Sequence, residues 1–502
     1  MRSMTPVFKI SVLLALAFLG WGVGLPTQLA HVTQAVQDSL TDFFGWLYLL
    51  AASTFLCCAL YLAVSRYGDI PLGQDGEKPE FPLLTWFAML FCAGMGIGLV
   101  FWGVAEPIAH FHHPPSGEGG TPDAARQALQ YAFFHWGLHP WGIYTVVALI
   151  LAYFQFRRRA PGLISETCRP VLGARTQGVI GWTIDSIAVF ATVFGVATSL
   201  GFGAVQISGG LAYVFGIPNT LATHLALIAG VTLLFMISAQ TGLQRGIKYL
   251  SNLNMILAFS LLIFLLIVGP TQFLLDLFTS TLGNYIHHLP LMSLNLQPLV
   301  DSSWIKNWTV FYWAWWIAWA PFVGTFIARI SKGRTVREFV LGVLLAPTLF
   351  CAVWFAVFGG TTISLELHHG TAINEVIERH GIEVALFTVL ERFPLGTLMS
   401  ILAIVLIGTF FITSADSATF VLGTLTTQGN LNPPNAVKLT WGVIQSFSAA
   451  VLLWSGGLNG LQTGAIIAAF PFMFIIFLMI IALLKAFSVE LRTASLPTQA
   501  HD

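Results

Sequence analysis

The stretch Phe311-Tyr-Trp-Ala-Trp-Trp-Ile-Ala-Trp-Ala-Pro-Phe-Val-Gly324 places four tryptophans, one tyrosine and two phenylalanines in a single apolar segment. The segment is long enough to belong to a membrane-spanning helix. Tryptophan in membrane proteins usually lies at the lipid–water interface, so a cluster at mid-membrane depth beside a proline and a glycine indicates a lined cavity. Aromatic faces attract cations that donate no strong hydrogen bonds, of which quaternary ammonium compounds are the usual example.

The composition surrounding this stretch is that of a membrane protein. Hydrophobic residues make up 56% of the chain and charged residues 9%. The apolar residues form runs of about 20, each able to cross a hydrocarbon layer roughly 30 Å thick. The sequence therefore predicts an all-α integral membrane protein. The net charge of zero gives no indication of a nucleic-acid partner, and no nucleophile–base arrangement indicates an enzyme.

Twelve transmembrane helices are predicted from the apolar runs. They lie at about 10–26, 43–64, 83–104, 128–155, 180–213, 221–239, 251–270, 308–330, 338–360, 396–422, 438–456 and 463–485. With the N-terminus inside, all but four of the 22 Lys and Arg lie on one side of the membrane; the exceptions are Arg126, Lys306, Arg379 and Arg392. Because positive loops stay inside, we expect a multi-pass membrane protein with both termini in the cytoplasm.

The chain is predicted to form one domain over 1–502. The amphipathic segment 271–293 is too short in continuous apolar residues to span, and we expect it at the outer surface.

The third span contains Ala93-Gly-Met-Gly-Ile-Gly-Leu99, where three glycines would weaken an ordinary helix. One interpretation is close helix packing through small residues. The other is a discontinuous helix, whose unwound carbonyls coordinate a cation and whose half-helix N–H groups face a carboxylate. Pro321 and Gly324 are predicted to interrupt the eighth span in a similar place. Two broken helices five spans apart indicate an inverted-repeat transporter.

The fourth span, Phe134-His-Trp-Gly-Leu-His-Pro-Trp-Gly-Ile-Tyr144, carries a second aromatic cluster. On an ideal helix Trp141 and Tyr144 share a face, as do Tyr312, Trp316 and Trp319 in the eighth span. Pro140 is expected to distort the fourth span. If the two faces meet, they form an aromatic box. The alternative is that the rings are core or interfacial anchors.

Polar side chains in the spans allow two interpretations each. Thr413 and Ser414 offer neutral hydroxyl oxygens suited to sodium, or can bond back to their own helix. Asp185 and Asp416 are functional candidates as ionisable groups near spans, or pair with an arginine. His110, His112 and His113 are expected in a polar external loop, because no carboxylate or cysteine completes a metal ligand set. His135 and His139 are expected to be buried hydrogen-bonding groups.

Three segments together resemble the betaine/choline/carnitine transporter family, and most closely its bacterial sodium-coupled glycine betaine permeases. They are Gly94-Met-Gly-Ile-Gly-Leu-Val-Phe-Trp-Gly-Val-Ala-Glu-Pro107, the Phe311–Gly324 stretch with Ala328-Arg-Ile-Ser-Lys-Gly-Arg-Thr335, and Phe411-Ile-Thr-Ser-Ala-Asp-Ser417. The resemblance implies a homotrimer in the lipid of the bacterial plasma membrane, with two inverted five-helix repeats in a LeuT-like arrangement. The subdivision that follows is two peripheral helices and a linker at 1–82, a first repeat at 83–270, an external amphipathic helix and loop at 271–307, a second repeat at 308–485 and a cytoplasmic tail at 486–502.

The resemblance also implies residue roles. Substrate-binding residues would be Trp136, Trp141, Tyr144 and Trp316 around the trimethylammonium group, with the glycines Gly94, Gly96 and Gly98. Trp315 and Trp319 would line the cytoplasmic substrate path. One sodium ion would be bound by Cys92, Met95, Phe410, Thr413 and Ser414. Thr192 matches a second sodium site, where Val196 replaces the next expected hydroxyl and puts that site in doubt.

The differences between this chain and other groups of the family favour glycine betaine as the substrate. We expect it to be imported by sodium symport for osmoprotection, with sodium as the coupling ion and no cofactor. Some choline carriers resembling this chain have an acidic residue where Gly98 stands, and no carboxylate occurs among the box residues, although Glu106 is near. The alternatives are uptake of choline, carnitine or other quaternary ammonium or sulfonium compounds, possible proton coupling, and a non-transporting osmosensor.

Overall fold

The computed structural model describes residues 4–94, 96–241, 244–299 and 302–494, and these ranges are helical with no β-strand among them. The helices, numbered in chain order, are α1 Pro6–Gly24, α2 Pro26–Val64, α3 Leu83–Gly94, α4 Ile97–His112, α5 Pro122–Trp136, α6 Leu138–Ala152, α7 Ile164–Thr167, α8 Arg169–Leu172, α9 Val179–Phe215, α10 Leu221–Thr241, α11 Gln244–Val268, α12 Thr271–Ser293, α13 Ser303–Ile305, α14 Phe311–Arg329, α15 Val336–His369, α16 Ile373–His380, α17 Ala385–Leu390, α18 Gly396–Thr426 and α19 Asn435–Ala494. Short 3₁₀ turns occupy Arg66–Asp69, Gly173–Gln177 and Ile382–Val384, and π-helical turns occupy Tyr153–Arg157 and Lys306–Val310.

Nine helical segments within the described ranges are long and apolar enough to cross a membrane. An all-helical multi-pass membrane protein is therefore confirmed. The count of twelve spans, the inverted repeats and the subdivision of the chain remain predictions. The last two predicted spans are joined in α19, where Gly457 leaves the helical region with φ 58° and ψ −143°.

The third span is divided, as the glycine-rich sequence predicts. Helix α3 ends at Gly94 and α4 begins at Ile97, and the backbone of Gly96 between them is extended, with φ −153° and ψ −172°. Met95 lies outside the described residues. The break places a helix end in the interior of an apolar segment.

The predicted break of the eighth span is wrong, because α14 runs without interruption through Pro321 and Gly324. Proline removes one backbone hydrogen bond from a helix, and the surrounding helices keep this segment buried. Gly324 serves packing: a Cβ there would lie 2.8 Å from Cγ1 of Val147 in α6. The pair of broken helices that indicated an inverted repeat is thus reduced to one.

The distortion expected at Pro140 occurs instead at Gly137. Helix α5 ends at Trp136, Gly137 adopts φ −97° and ψ −128°, and α6 begins at Leu138. Pro140 lies in the first turn of α6, where a missing N–H costs no intrahelical bond. The Leu138 N–H donates to the hydroxyl of Tyr285 at 3.0 Å, so α12 holds this break.

The segment before α15 is fixed by a glycine and a capping box. Gly333 has φ 83°, and a Cβ there would lie 2.4 Å from the Lys78 carbonyl oxygen. Thr335 accepts a hydrogen bond from the Glu338 N–H, and the Glu338 carboxylate accepts one from the Thr335 N–H. These reciprocal bonds satisfy two otherwise unpaired donors at the start of α15.

Helix α14 lies at the centre of the bundle, in contact with α6, α9 and α19. Helix α4 contacts α5, α9 and α15. These neighbours bring the broken third span and the aromatic-rich α14 to the same interior region.

Candidate functional site

Aromatic side chains from α5, α6 and α14 meet in the interior. The ring centroids of Trp136 and Trp316 lie 4.9 Å apart with planes at 75°, and those of Tyr144 and Trp316 lie 6.0 Å apart. Trp141 contacts Tyr144 at 5.6 Å. None of the four side chains is more than 5% exposed. The two aromatic faces therefore meet, as the aromatic-box interpretation requires; we call these four residues the aromatic box.

Two further rings of α14 extend the aromatic box. Trp315 stacks on Trp316 with centroids 4.9 Å apart and planes at 14°. Tyr312 contacts both Trp136, at 5.7 Å, and Trp316, at 6.0 Å. The Trp316 indole N–H donates to the backbone oxygen of His135 at 2.9 Å. Ring contacts of this kind contribute beyond area burial and fix the ring orientations.

The glycine segment lies directly against these rings. A Cβ at Gly98 would lie 2.7 Å from the Cη2 atom of Trp315 and 3.2 Å from that of Trp136, while one at Gly96 would lie 3.8 Å from Cη2 of Trp319. Among the described residues, no side chain caps the N-terminus of α4. The Leu99 N–H donates to the Gly96 carbonyl at 3.2 Å, which leaves the N–H groups of Ile97 and Gly98 as the orphan donors beside the aromatic side chains.

A cavity of about 90 Å³ lies where α11, α14 and α18 approach one another. The Trp319 indole N–H, at its wall, donates to the Gly195 carbonyl at 2.6 Å. Trp319 of the predicted substrate path therefore borders the same cavity as Thr413 and Ser414, two of the predicted sodium ligands. Its lining consists of Ser251, Asn254, Met255, Trp319, Phe322, Val323, Phe326, Phe410, Thr413, Ser414 and Ser417.

Asn254 of α11 is a polar residue of this cavity that the sequence did not single out. Its side-chain N–H donates to the Thr413 hydroxyl at 3.2 Å. The Thr413 hydroxyl also lies 3.0 Å from the Thr409 carbonyl and 3.2 Å from the Phe410 carbonyl of its own helix. The back-bonding alternative therefore applies to Thr413 in this conformation, while its oxygen still borders the cavity.

The remaining predicted sodium ligands, Thr192, Cys92 and Met95, are not among the described residues that line the Thr413 cavity. Thr192 is fully buried in α9, where its hydroxyl donates to the Ala188 carbonyl at 2.8 Å, and it is not among the described residues lining the Thr413 cavity. Val196 lies one turn further along α9. Cys92 belongs to the last turn of α3, and Met95 lies outside the described residues. Their roles as ligands remain predictions.

A buried carboxylate–histidine cluster lies behind the aromatic box. One Glu106 oxygen lies 2.7 Å from His135 Nδ1 and 3.1 Å from His110 Nε2. The other accepts from the Trp136 indole N–H at 2.8 Å and the Tyr312 hydroxyl at 2.5 Å. Glu106, His110 and His135 have no exposed surface. Three such ligand atoms could hold a metal ion, but hydrogen bonds account for the contacts.

The expectation that His110 lies in an external loop is wrong. Helix α4 continues to His112, eight residues beyond the predicted end of the third span. His110 therefore lies one turn after Glu106 and faces inward. The carboxylate that the sequence analysis found missing is Glu106. Its sequence signal is an ionisable residue within an apolar helix, with a histidine four positions later.

The two histidines of the fourth span differ. His135 is buried and hydrogen-bonded as predicted, with its Nε2 atom 2.9 Å from the Thr309 hydroxyl. His139 is equally buried and stacks on Trp313 with centroids 5.1 Å apart and planes at 19°. Among the described residues neither ring nitrogen of His139 has a hydrogen-bond partner, so its predicted hydrogen-bonding role is wrong.

The two intramembrane aspartates do not form the predicted arginine pairs within the described part of the chain. Asp185 is 3% exposed and accepts bonds from the Ser165 N–H at 2.8 Å and hydroxyl at 2.7 Å. It thereby fixes the start of α7. Asp416 is 7% exposed in α18. Neither contacts the aromatic box.

Comparison with known proteins gives the family context of this site. A family profile described as "BCCT, betaine/carnitine/choline family transporter" matches residues 6–492. The chain is 54% identical to the glycine betaine transporter OpuD of Bacillus subtilis, over 98% of this chain and 96% of that one. It is 45% identical to an ectoine/hydroxyectoine transporter of Virgibacillus pantothenticus, over 96% of each, and 42% identical to a glycine betaine transporter of Acinetobacter baylyi, over 96% of this chain and 73% of the relative.

Proposed function

Since the chain belongs to the betaine/carnitine/choline family of transporters, we propose that it imports glycine betaine by sodium symport and thereby serves osmoprotection. It is a membrane transporter and not an enzyme. The observation that carries the substrate proposal is the meeting of Trp136, Trp141, Tyr144 and Trp316 in one buried aromatic box. The name of the relative OpuD points to the same substrate.

The aromatic box suits the trimethylammonium end of glycine betaine. This group carries a positive charge but no N–H donor, so it gains from ring faces and needs no hydrogen-bond acceptor. A desolvated cation–π contact contributes about 2 kcal/mol or more. Several rings around one cation therefore provide both affinity and discrimination against uncharged solutes.

The start of α4 suits the carboxylate end of the same molecule. Within the described part of the chain, no side chain caps the N–H groups of Ile97 and Gly98, and Gly98 lies against Trp136 and Trp315. A helix N-terminus attracts anions through these N–H groups and the helix dipole. A zwitterion between the aromatic box and this helix end would have both charges stabilised, with Gly94, Gly96 and Gly98 keeping the approach free of side chains.

The proposed sodium site uses the cavity near Trp319. Thr413 and Ser414 contribute hydroxyl oxygens and Phe410 a backbone oxygen, and the family resemblance adds backbone oxygens of Cys92 and Met95. Neutral oxygen ligands are those that a hard cation prefers. Sodium can drive transport only by binding one conformation more tightly than another, so we propose that it favours the outward-open state.

A second candidate is transport of another compatible solute, since a relative named as an ectoine/hydroxyectoine transporter is 45% identical to this chain. Choline, carnitine and proton coupling are the remaining alternatives. Competition by unlabelled compounds against labelled glycine betaine ranks these substrates.

We further propose that the chain forms a homotrimer, with both termini of each subunit in the cytoplasm.

The decisive experiment is uptake of radiolabelled glycine betaine into proteoliposomes with and without an inward sodium gradient. Accumulation that requires sodium supports symport. Uptake that is indifferent to sodium but follows a proton gradient overturns the roles of Thr413 and Ser414. Binding without accumulation under either gradient supports a non-transporting sensor.

A further inference from the structure

We propose that Glu106 is a specificity-determining residue of the aromatic box, whose negative charge, acting through Trp136, attracts the cationic end of the substrate. The inference rests on the proposed function and deepens it, and it replaces the sequence-based expectation that no carboxylate serves the aromatic box. Glu106 is fully buried in α4 and lies one hydrogen bond behind Trp136. It touches no substrate position itself, so it acts through the rings that do.

The hydrogen-bond arrangement fits an ionised carboxylate. A carboxylate anion offers about four lone-pair sites and no donor, and four neighbours surround Glu106. The Trp136 indole can only donate, and the Tyr312 hydroxyl at 2.5 Å has the length of an O–H···O⁻ bond. The other oxygen faces ring nitrogens of His110 and His135. A protonated Glu106 would give up one acceptor position.

The histidines around Glu106 can remain uncharged. The Thr309 hydroxyl lies 2.9 Å from Nε2 of His135 and can donate to it, which leaves the Nδ1–H of His135 to donate to Glu106. His110 can donate through Nε2, and its Nδ1 has no hydrogen-bond partner among the described residues. The cluster then keeps one net negative charge. If either ring were an imidazolium, this charge would be cancelled, and the test below distinguishes the two cases.

The carboxylate also connects α5 and α14, two of the three helices that build the aromatic box. Trp136 is the last residue of α5 and Tyr312 lies in the first turn of α14, and both donate to the same Glu106 oxygen. The Trp136 ring then contacts Trp316 at 4.9 Å. Glu106 therefore has a positioning role as well as an electrostatic one, and an experiment must separate them.

Two ligands that differ only in charge separate the electrostatic role of Glu106 from its positioning role. Glycine betaine and 3,3-dimethylbutanoate have the same shape and carboxylate, but the second has carbon in place of the ammonium nitrogen. Glu106→Gln removes the charge and keeps the length and an oxygen acceptor. We expect it to weaken glycine betaine binding at least about tenfold; Coulomb's law gives about fiftyfold for unit charges about 7 Å apart at an effective dielectric of about 20. Binding of 3,3-dimethylbutanoate should not weaken.

Isothermal titration calorimetry on the purified full chain in detergent measures both affinities. Asp185→Asn is the matched control, because it neutralises another buried, hydrogen-bonded carboxylate that does not contact the aromatic box. Glu106→Asp retains the charge and should keep the preference for glycine betaine over 3,3-dimethylbutanoate. If Glu106→Gln does not elute as folded protein, the Glu106→Asp variant provides the test instead. Loss of the preference for glycine betaine over 3,3-dimethylbutanoate in Glu106→Asp overturns the inference.

The remaining outcomes are distinct. An equal loss of both ligands in Glu106→Gln shows positioning without an electrostatic role and overturns the inference, as does an affinity for glycine betaine equal to that of the wild type. Failure of the wild-type chain to bind glycine betaine overturns the proposed function instead, and with it the premise of this inference.

Discussion

The indole rings of Trp136 and Trp316 meet edge to face, with centroids 4.9 Å apart and planes at 75°. One ring ends α5 and the other lies in the middle of α14. The contact brings together two aromatic clusters that are distant in sequence, and four predictions follow from it and from its surroundings.

Replacement of Trp316 by alanine should abolish glycine betaine uptake while the protein still reaches the membrane. The change removes one cation–π face, worth about 2 kcal/mol or more when desolvated, and hence about thirtyfold in affinity. It also removes the hydrogen bond to the His135 carbonyl. Uptake into proteoliposomes measures the effect. Trp454→Ala is the control, because this tryptophan is 47% exposed on α19. Normal uptake by Trp316→Ala would refute the aromatic box.

Replacement of Gly98 by alanine should raise the KM for uptake. The new Cβ would lie 2.7 Å from Trp315 and 3.2 Å from Trp136, so both rings must shift, at a cost of about 1–3 kcal/mol for overpacking. Gly230→Ala in α10 is the matched control, since a Cβ there meets nothing within 4 Å and alanine favours a helix. A KM unchanged in Gly98→Ala would mean that the ring positions do not limit binding.

Replacement of Thr413 by alanine should raise the sodium concentration for half-maximal uptake about tenfold, because one proposed oxygen ligand is lost. Initial uptake rates over a range of sodium concentrations, at saturating glycine betaine, measure the change. Thr424→Ala on the same helix removes a hydroxyl that bonds only back to the Phe420 carbonyl among the described residues and should leave sodium dependence unaltered. An identical sodium dependence in Thr413→Ala would move the sodium site elsewhere.

Replacement of Gly333 by alanine should lower the thermal unfolding temperature more than replacement of Gly76. Both glycines have positive φ, 83° and 78°, but a Cβ at Gly333 would lie 2.4 Å from the Lys78 carbonyl oxygen, whereas one at Gly76 meets nothing within 4 Å. Gly76→Ala therefore measures the conformational strain alone, about 1–2 kcal/mol. Fluorescence-detected thermal unfolding of both variants provides the comparison. Equal shifts would show that the contact with Lys78 relaxes freely.

Local sequence patterns predicted the elements that depend on neighbours along the chain. The helical spacing of Trp141 and Tyr144 placed them on one face, and they are in contact. The three alternating glycines of the third span predicted a break, which agrees with the large loss of backbone freedom that glycine undergoes when it is fixed in a helix. The predicted break at Pro321 is wrong, since a single missing N–H does not end a helix that is packed on all sides.

The sequence by itself determined a membrane protein of long apolar helices, the division of the third span and the identity of the aromatic residues, because hydropathy and backbone preference act locally. Only the tertiary structure decided which rings meet, that Glu106 receives donors from α4, α5 and α14, and that Asn254 reaches Thr413. A buried carboxylate must find its donors wherever the fold supplies them. Apart from His110, which lies one turn from Glu106 on α4, those donors come from residues about 30 to 200 positions away in the chain, which no local pattern relates.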